Sequence, residues 1–380
     1  MNALHELTVL NILSDPLIAA FADLDEGAGR TNFLHLLYER GAEQNFAAYV
    51  ASAVLTDENA FSRACAAGRS VSDYLRRAFS ADLAKIARAL CVKDDAFCVG
   101  TAPLPAGNWD DAALARLASY YAQNGYGRFL AHRAFRFTGG ELVPIRALSD
   151  VTLDDLKGYE SEKKEVRDNF ESFVAGLPYA DMLLYGDRGT GKSSTVHAMI
   201  NLYADKKLRL VEIDKENILS LPMLKTKLAD VPMKFVVFID DFSLREDDDR
   251  VSTLKAALQG SMEGHVGNVM IVATSNRRHI VEENFATRMD SVHAGDSEEE
   301  LLSLSDRFGI TVLFASVNKQ SYLSIVHAIA TDMQVKTSAE TLDLLAERWA
   351  ILRGGRSPRR ARQFVEFVYA CEQKGVPVEV

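Results

Sequence analysis

One stretch constrains this chain more than any other: GDRGTGKSS, Gly186 to Ser194. It lies between the apolar run MLLY (182–185) and the helix-prone STVHAMINLYA (194–204). The pattern is GxxxxGK[ST], and strand, glycine loop and helix follow in the order it needs. Gly186, Gly189 and Gly191 open backbone conformations closed to other residues. The loop can then aim several N–H groups at one centre, at a helix N-terminus that favours negative charge. Lys192 brings a point charge to the β- and γ-phosphates, and the Ser193 hydroxyl is placed to ligate Mg²⁺. Asp187, Arg188, Thr190 and Ser194 fill out the loop around a bound nucleotide. An ordinary glycine turn with a surface lysine is the bland alternative, and it does not account for the flanking strand and helix.

Four more apolar runs follow: LRLVEI (208–213), FVVFI (235–239), VMIVAT (269–274) and ITVLF (310–314). Continuous apolar strands separated by helical stretches predict a five-stranded parallel sheet covered on both faces. Ligands of such sheets bind at the carboxyl ends of the strands. There FVVFI ends in Asp240 and Asp241, and VMIVAT leads into Asn276. Asp240 is expected to hold Mg²⁺, and Asp241 to orient or polarise the attacking water. Asn276 is expected to hydrogen-bond the γ-phosphate or that water. Alone, a strand ending in two acids or an asparagine is a weak signal; after a phosphate loop the three together read as one site. No NKxD-type guanine motif follows, so the expected nucleotide is ATP.

The rest of the chain frames this core. Residues 1–134 show apolar residues at helical spacing, interrupted near Pro103, Pro105 and Gly107, and predict an N-terminal all-helical domain. FRFTGGELVPI (135–145) predicts a hairpin turning at Gly139 and Gly140, and opens a nucleotide-binding domain over 135–316. From 317 to 380 the pattern is helical again. The net charge of −10 argues against sequence-blind binding of nucleic acid or anionic membrane. Cys65, Cys91, Cys98 and Cys371 form no CxxC pair, and reduced, mostly buried thiols are expected. No signal peptide or membrane span is read, so the expected compartment is cytoplasmic.

These motifs, in this order, resemble the AAA+ superfamily from about Leu153 to Phe364. The resemblance implies a P-loop core with a C-terminal helical lid, and ATP hydrolysis with Mg²⁺ between subunits of a homo-oligomer, a ring or spiral such as a hexamer. LDDLKGYE (153–160) is similar to the segment that packs on adenine, which would put Gly158 and Tyr159 nearest the base. SDRFGI (305–310) is similar to the arginine-finger box, with Arg307 completing the neighbour's site. RSPRRA (356–361) is similar to the lid motif called sensor 2, with Arg359 contacting the γ-phosphate. A closer resemblance is to an uncharacterised bacterial AAA+ family that shares GDRGTGKSS, a strand ending FIDD, ATSNRRH, LSDRFG and the hairpin FRFTGGELVPI.

Departures narrow the function. Asp241 stands where many AAA+ motors carry Glu. DKENILSLPML, after LRLVEI, lacks the aromatic–hydrophobic–glycine pore loop of protein-threading motors; EDDDR (246–250) would repel a nucleic-acid backbone if it lined a pore, and a solvated acidic loop is its bland alternative. The leading expectation is an oligomeric ATPase that remodels or regulates a partner protein bound by the N-terminal helices. A nucleic-acid loader or translocase of the initiator type, and a nucleotide-gated switch with negligible turnover, are the alternatives. A small-molecule kinase is disfavoured because the arginine cluster lies far beyond the sheet, at the C-terminus.

Overall fold

β-Branched and aromatic residues dominate the five apolar runs. Each becomes a strand in the computed structural model, which describes residues 3–24, 29–90, 98–99, 102–103, 111–242, 244–245, 249–259, 267–276, 281–282 and 307–379. The chain divides into two units. One comprises Met1–Arg133, Asp205–Lys207 and Val231–Met233; the other comprises Ala134–Ala204, Leu208–Asp230 and Lys234–Val380.

The first unit contains helices α1 (Pro16–Ala22), α2 (Gly29–Glu39), α3 (Phe46–Thr56), α4 (Ala60–Ala66), α5 (Asp73–Leu90), α6 (Asp111–Asn124) and α7 (Arg128–Ala131). Their starts are encoded locally. The Asp15 side chain accepts from the backbone N–H groups of Leu17 and Ile18, just after Pro16, Asn45 caps α3, and Asn59 with Ser62 forms a capping box. Phe61 stacks on Phe79 at 4.2 Å, with Tyr121 edge-on to Phe61. The fully buried Asp82 of α5 ties down the preceding segment by accepting from the N–H groups of Thr8, Val9 and Leu10. The unit is not wholly helical: Cys98–Val99 and Ala102–Pro103 form a short antiparallel pair. That pair includes Pro103, where proline marks a break in the helical pattern. Pro105, Gly107 and Cys91 lie outside the described residues.

The second unit is built on one mixed sheet. Its strands are β1 (Ala134–Thr138), β2 (Glu141–Pro144), β3 (Met182–Gly186), β4 (Leu208–Ile213), β5 (Lys234–Ile239), β6 (Val269–Ser275) and β7 (Ile310–Phe314). The order is β7-β3-β6-β5-β4-β1-β2. The five expected strands are parallel neighbours, but the sheet has seven strands. The hairpin joins it: β1 pairs parallel with β4, and β2 folds back antiparallel on β1. Ala134, Phe135 and Phe137 are buried, so β1 extends the core instead of standing apart from it. Gly139 and Gly140, both at positive φ, make the turn. Leu244–Arg245 and Val281–Glu282 form a separate two-residue parallel pair.

Helices α8 (Glu160–Ala175), α9 (Lys192–Leu202), α10 (Leu221–Ala229) and α11 (Asp249–Gln259) belong to this α/β unit. Phe170 and Phe173 of α8 and Val196, Met199 and Ile200 of α9 join Leu184, Leu210, Val236, Phe238 and Val272 in one core. Helices α12 (Lys319–Asp332), α13 (Ala339–Leu352) and α14 (Pro358–Lys374) have a second core centred on Tyr322, Val326, Phe364 and Val368. Asn318, Ser338 and Ser357 cap the three through their side chains. Among the described residues, Cys65 and Cys371 are buried and form no disulfide. Among the described residues no helix is long and apolar enough to cross a membrane.

Candidate functional site

The tip of β3 turns sharply into α9 because of its glycines. At Gly186, with φ of 130°, an added Cβ would stand 2.1 Å from the Phe314 carbonyl oxygen, so no other residue fits against β7. Gly191, with φ of 99°, is the residue before α9. Thr190 Oγ1 donates to the Asp187 carbonyl at 2.8 Å and tightens the loop. Lys192 is buried, and its ammonium donates to the carbonyls of Gly186 and Asp187 at 2.8 and 2.9 Å and to Asn276 Oδ1 at 3.1 Å. All three ammonium donors are thus satisfied. Burial pulls the Lys192 pKa below the ordinary lysine value, opposed by the nearby Asp187, Asp240 and Asp241.

The sheet order explains how the acids reach this lysine. Strand β6 lies between β3 and β5, with Leu184 registered on Thr274 and Ile239 on Ala273. The carboxyl ends of the three strands are therefore level. Ser193 Oγ donates to Asp240 Oδ1 at 2.6 Å. Asn276 Nδ2 donates to Asp241 Oδ1, while its Oδ1 faces Lys192. Lysine has no acceptor and a carboxylate has no donor, so this amide has only one orientation that satisfies both partners. Asp241 sits in the left-handed region, with φ of 49°, a conformation that non-glycine residues hold only when their surroundings impose it.

Sequence reasoning did not single out Thr274. Its buried hydroxyl lies 2.6 Å from Asp240 Oδ1 and 3.0 Å from the backbone nitrogen of Asp241, and its carbonyl accepts from Phe242 N at 2.7 Å. The available signal was a hydroxyl residue two positions before Asn276, on the same side of β6.

Two adjoining hollows form the cleft. One, of about 280 Å³, is lined by Arg188, Lys192, Ser193, Asp240, Asp241 and Asn276, among others. The second, of about 240 Å³, is walled by Gly158, Tyr159, Phe314, Ile325, Ile329 and Pro358, among others. Gly189, Gly191, Ser194 and Arg359 line both. A polar end and an apolar end therefore meet at the glycine loop. Tyr159, itself left-handed at φ of 58°, leans on Phe314 at 5.2 Å between ring centroids and donates its hydroxyl to the Ala315 carbonyl. Burial pushes that phenol up to about 12.

The C-terminal helices contribute Ile325, Ile329, Pro358 and Arg359 to the cleft wall. Arg359 N donates to the Gly189 carbonyl at 3.1 Å, and a Cβ on Gly189 would meet Ser357 and Arg359. Arg362 Nη2 donates to the Asp155 carbonyl at 2.9 Å, and Lys157 pairs with Asp332 at 2.6 Å. The sequence pattern contained no hint of these last two ties.

Arg307 is placed elsewhere. Ile310 of β7 pairs with Met182 and Phe314 with Gly186, so Arg307 lies at the amino end of β7, while the cleft lies at the carboxyl end. Roughly 13 Å of strand, at about 3.3 Å per residue, separates the two levels. Within one chain, Arg307 is not part of the cleft. Asp306, Arg277, Arg278, His279 and the acids at 246–248 lie outside the described residues.

No curated protein matches the chain. Among solved structures, a Thermotoga maritima RuvB described as a Holliday junction branch migration motor is 17% identical with a TM-score of 0.40, covering 59% of this chain and 66% of that one. This chain thus spans just under two thirds of the RuvB chain's length. A FIGL-1 AAA domain in complex with ADP is 19% identical with a TM-score of 0.40, covering 60% of this chain and 75% of the other. Both likenesses are loose, and neither bears on what this chain does. A family model matches residues 130–372, which include the hairpin, the glycine loop, both acids, Asn276, Arg307 and the C-terminal helices. The match covers well over half of the sequence, and the chain belongs to the family described as "Protein of unknown function (DUF815)".

Proposed function

We propose that the chain binds ATP with Mg²⁺ in this cleft and hydrolyses it as an oligomeric AAA+ ATPase. The observation that carries the reading is the network joining the glycine loop to the two acids: Lys192 to Asn276 to Asp241, and Ser193 to Asp240. A lysine and two aspartates converging at a helix N-terminus suit a triphosphate and its counter-ion better than any structural role. The apolar hollow between Tyr159 and Ile325 suits a base, and the loop between the two hollows suits the phosphates.

The donor set fits Mg²⁺. Ser193 and Asp240 present only oxygens, and among the described residues no cluster of three or more acidic, His or Cys side chains could cage a metal alone. Magnesium is commonly held by one or two carboxylates plus substrate phosphates. When bound, it would neutralise charge on the phosphates. In this reading the N–H groups from Gly186 to Ser194, with Lys192, hold the β- and γ-phosphates. Asp241 accepts from the attacking water, and Asn276 fixes Asp241 relative to Lys192. Arg359, seated on the loop by its own backbone, contacts the γ-phosphate and makes residues 317–380 a nucleotide-sensing lid. Gly158 and Tyr159 flank the base.

Arg307 acts on a neighbouring copy's nucleotide, and its place at the far end of the sheet supports that role over one in its own cleft. An arginine supplied this way contributes ~10³–10⁵ in rate. The helical region 1–134 serves as the docking domain for a partner protein, and the core spans 135–316. The test is complementation. Arg307→Ala and Asp241→Asn should each hydrolyse ATP poorly alone, and mixing them should restore phosphate release, because mixed interfaces pair an intact Asp241 with an intact Arg307. Full turnover by Arg307→Ala alone would sink the shared-site reading.

A further inference from the structure

We propose that Thr274 is a positioning residue: its side-chain hydroxyl sets the Asp240 carboxylate and the Asp241 backbone for Mg²⁺–nucleotide. This rests on the ATP reading above. Thr274 is 1% exposed at the end of β6, the strand between the glycine-loop strand and the acid-bearing strand. Met270 to Ala273 of β6 are buried and apolar, and the strand turns polar only at its carboxyl end, where Thr274 and Ser275 are both 1% exposed and Thr274 bonds to both acidic residues.

The direction of each hydrogen bond follows from donor counting. The Asp241 N–H can only donate, so Thr274 Oγ1 accepts it at 3.0 Å. The single hydroxyl proton is then left for Asp240 Oδ1, 2.6 Å away. Both bonds are used in one arrangement, so one side chain fixes two consecutive residues. The Thr274 carbonyl adds a third tie by accepting from Phe242 N at 2.7 Å. Asp241, between these ties, takes up its left-handed conformation and turns its carboxylate toward Asn276. The Thr274 carbonyl tie would remain without the hydroxyl; the other two bonds would not.

Asp240 Oδ1 receives two hydroxyl donors, Ser193 and Thr274, both at 2.6 Å. They are not equivalent. Ser193 is exposed to the cleft and is the hydroxyl that would turn its lone pairs to a cation. Thr274 also borders the hollow but is only 1% exposed, and its proton is committed to Asp240 because its oxygen already accepts from Asp241 N. When Ser193 serves a cation, Thr274 is the donor that still holds Asp240 in place. The residue therefore acts on the metal-dependent part of nucleotide binding, while the loop N–H groups and Lys192 hold the phosphates without it.

The experiment compares binding of a fluorescent ATP analogue in Mg²⁺ and in EDTA. Proteins are wild type, Thr274→Val, which keeps shape but loses the hydroxyl, and Thr274→Ser, which keeps it. Wild type should bind more tightly with Mg²⁺. Thr274→Val should lose about ten- to a hundredfold of affinity in Mg²⁺, the scale of one hydrogen bond to a charged group, with little change in EDTA. Thr274→Ser should restore the Mg²⁺ advantage. Equal losses in Mg²⁺ and EDTA, or no rescue by Ser, would overturn the proposal and leave the ATP reading standing. Failure of wild type to bind in either buffer would overturn both. Circular dichroism checks folding; if Thr274→Val is unfolded, Thr274→Ala takes its place, and an undiminished Mg²⁺ advantage in it counts against the proposal.

Discussion

If the cleft hydrolyses ATP as proposed, replacing Asn276 by alanine should separate catalysis from binding. The amide joins two charged groups, accepting from Lys192 at 3.1 Å and donating to Asp241. Lys192 keeps its bonds to the Gly186 and Asp187 carbonyls, at 2.8 and 2.9 Å, so the ammonium stays in place. Asp241 keeps its backbone bond to Thr274 but loses the donor that aims its carboxylate. A hydrogen bond to a charged group contributes about 1.5–3 kcal/mol. Each 1.36 kcal/mol in a barrier is tenfold in rate, so kcat should fall roughly 10- to 100-fold. Affinity should change by less than about threefold, since the remaining contacts of Lys192 and the glycine loop persist. Steady-state phosphate release gives kcat, and titration of a fluorescent ATP analogue gives affinity. An unchanged kcat, or a loss of affinity as large as the loss of rate, would refute the role of Asn276 in aiming Asp241.

Two predictions concern stability. Gly186→Ala places a methyl 2.1 Å from the Phe314 carbonyl oxygen at a φ of 130°; strain plus overlap should cost roughly 2–5 kcal/mol, read as a lower melting temperature, and an unaltered one would contradict the close approach of β3 and β7. In α13, the two hydrogen bonds from Arg356 hold the Glu347 carboxyl below its ordinary value. A carboxylate with a depressed folded pKa adds stability that is complete above the unfolded pKa of about 4.3 and is lost as pH falls through the folded value. The melting temperature of Glu347→Gln should therefore lie below wild type at pH 7, with the gap closing below about pH 4; a gap independent of pH would show that the ion pair is not its source.

Much of the site is local in sequence and was legible there. Gly186–Ser193 announces itself because loop, lysine and hydroxyl are contiguous, and Asp240, Asp241 and Asn276 each end an apolar run. What was not legible depends on pairing between distant segments. The hairpin at 135–145 reads as self-contained, yet the buried faces of Ala134, Phe135 and Phe137 add it to the edge at β4. Thr274 reads as one more strand residue until the order β3-β6-β5 sets it against Asp240. Arg362 looks like one of several arginines on an exposed helix face until α14 reaches the Asp155 carbonyl. Arg307 is legible as a motif, but only the register of β7 on β3 reveals that it lies away from its own chain's cleft.

In the proposed function a triphosphate lies between the glycine loop and the tip of β5. Calorimetric titration of a non-hydrolysable ATP analogue with Mg²⁺ into wild type and Lys192→Ala is the decisive experiment. Wild type should bind one nucleotide per chain with micromolar affinity, and Lys192→Ala should bind none. Binding of equal strength by both proteins, or no heat from wild type, would contradict it.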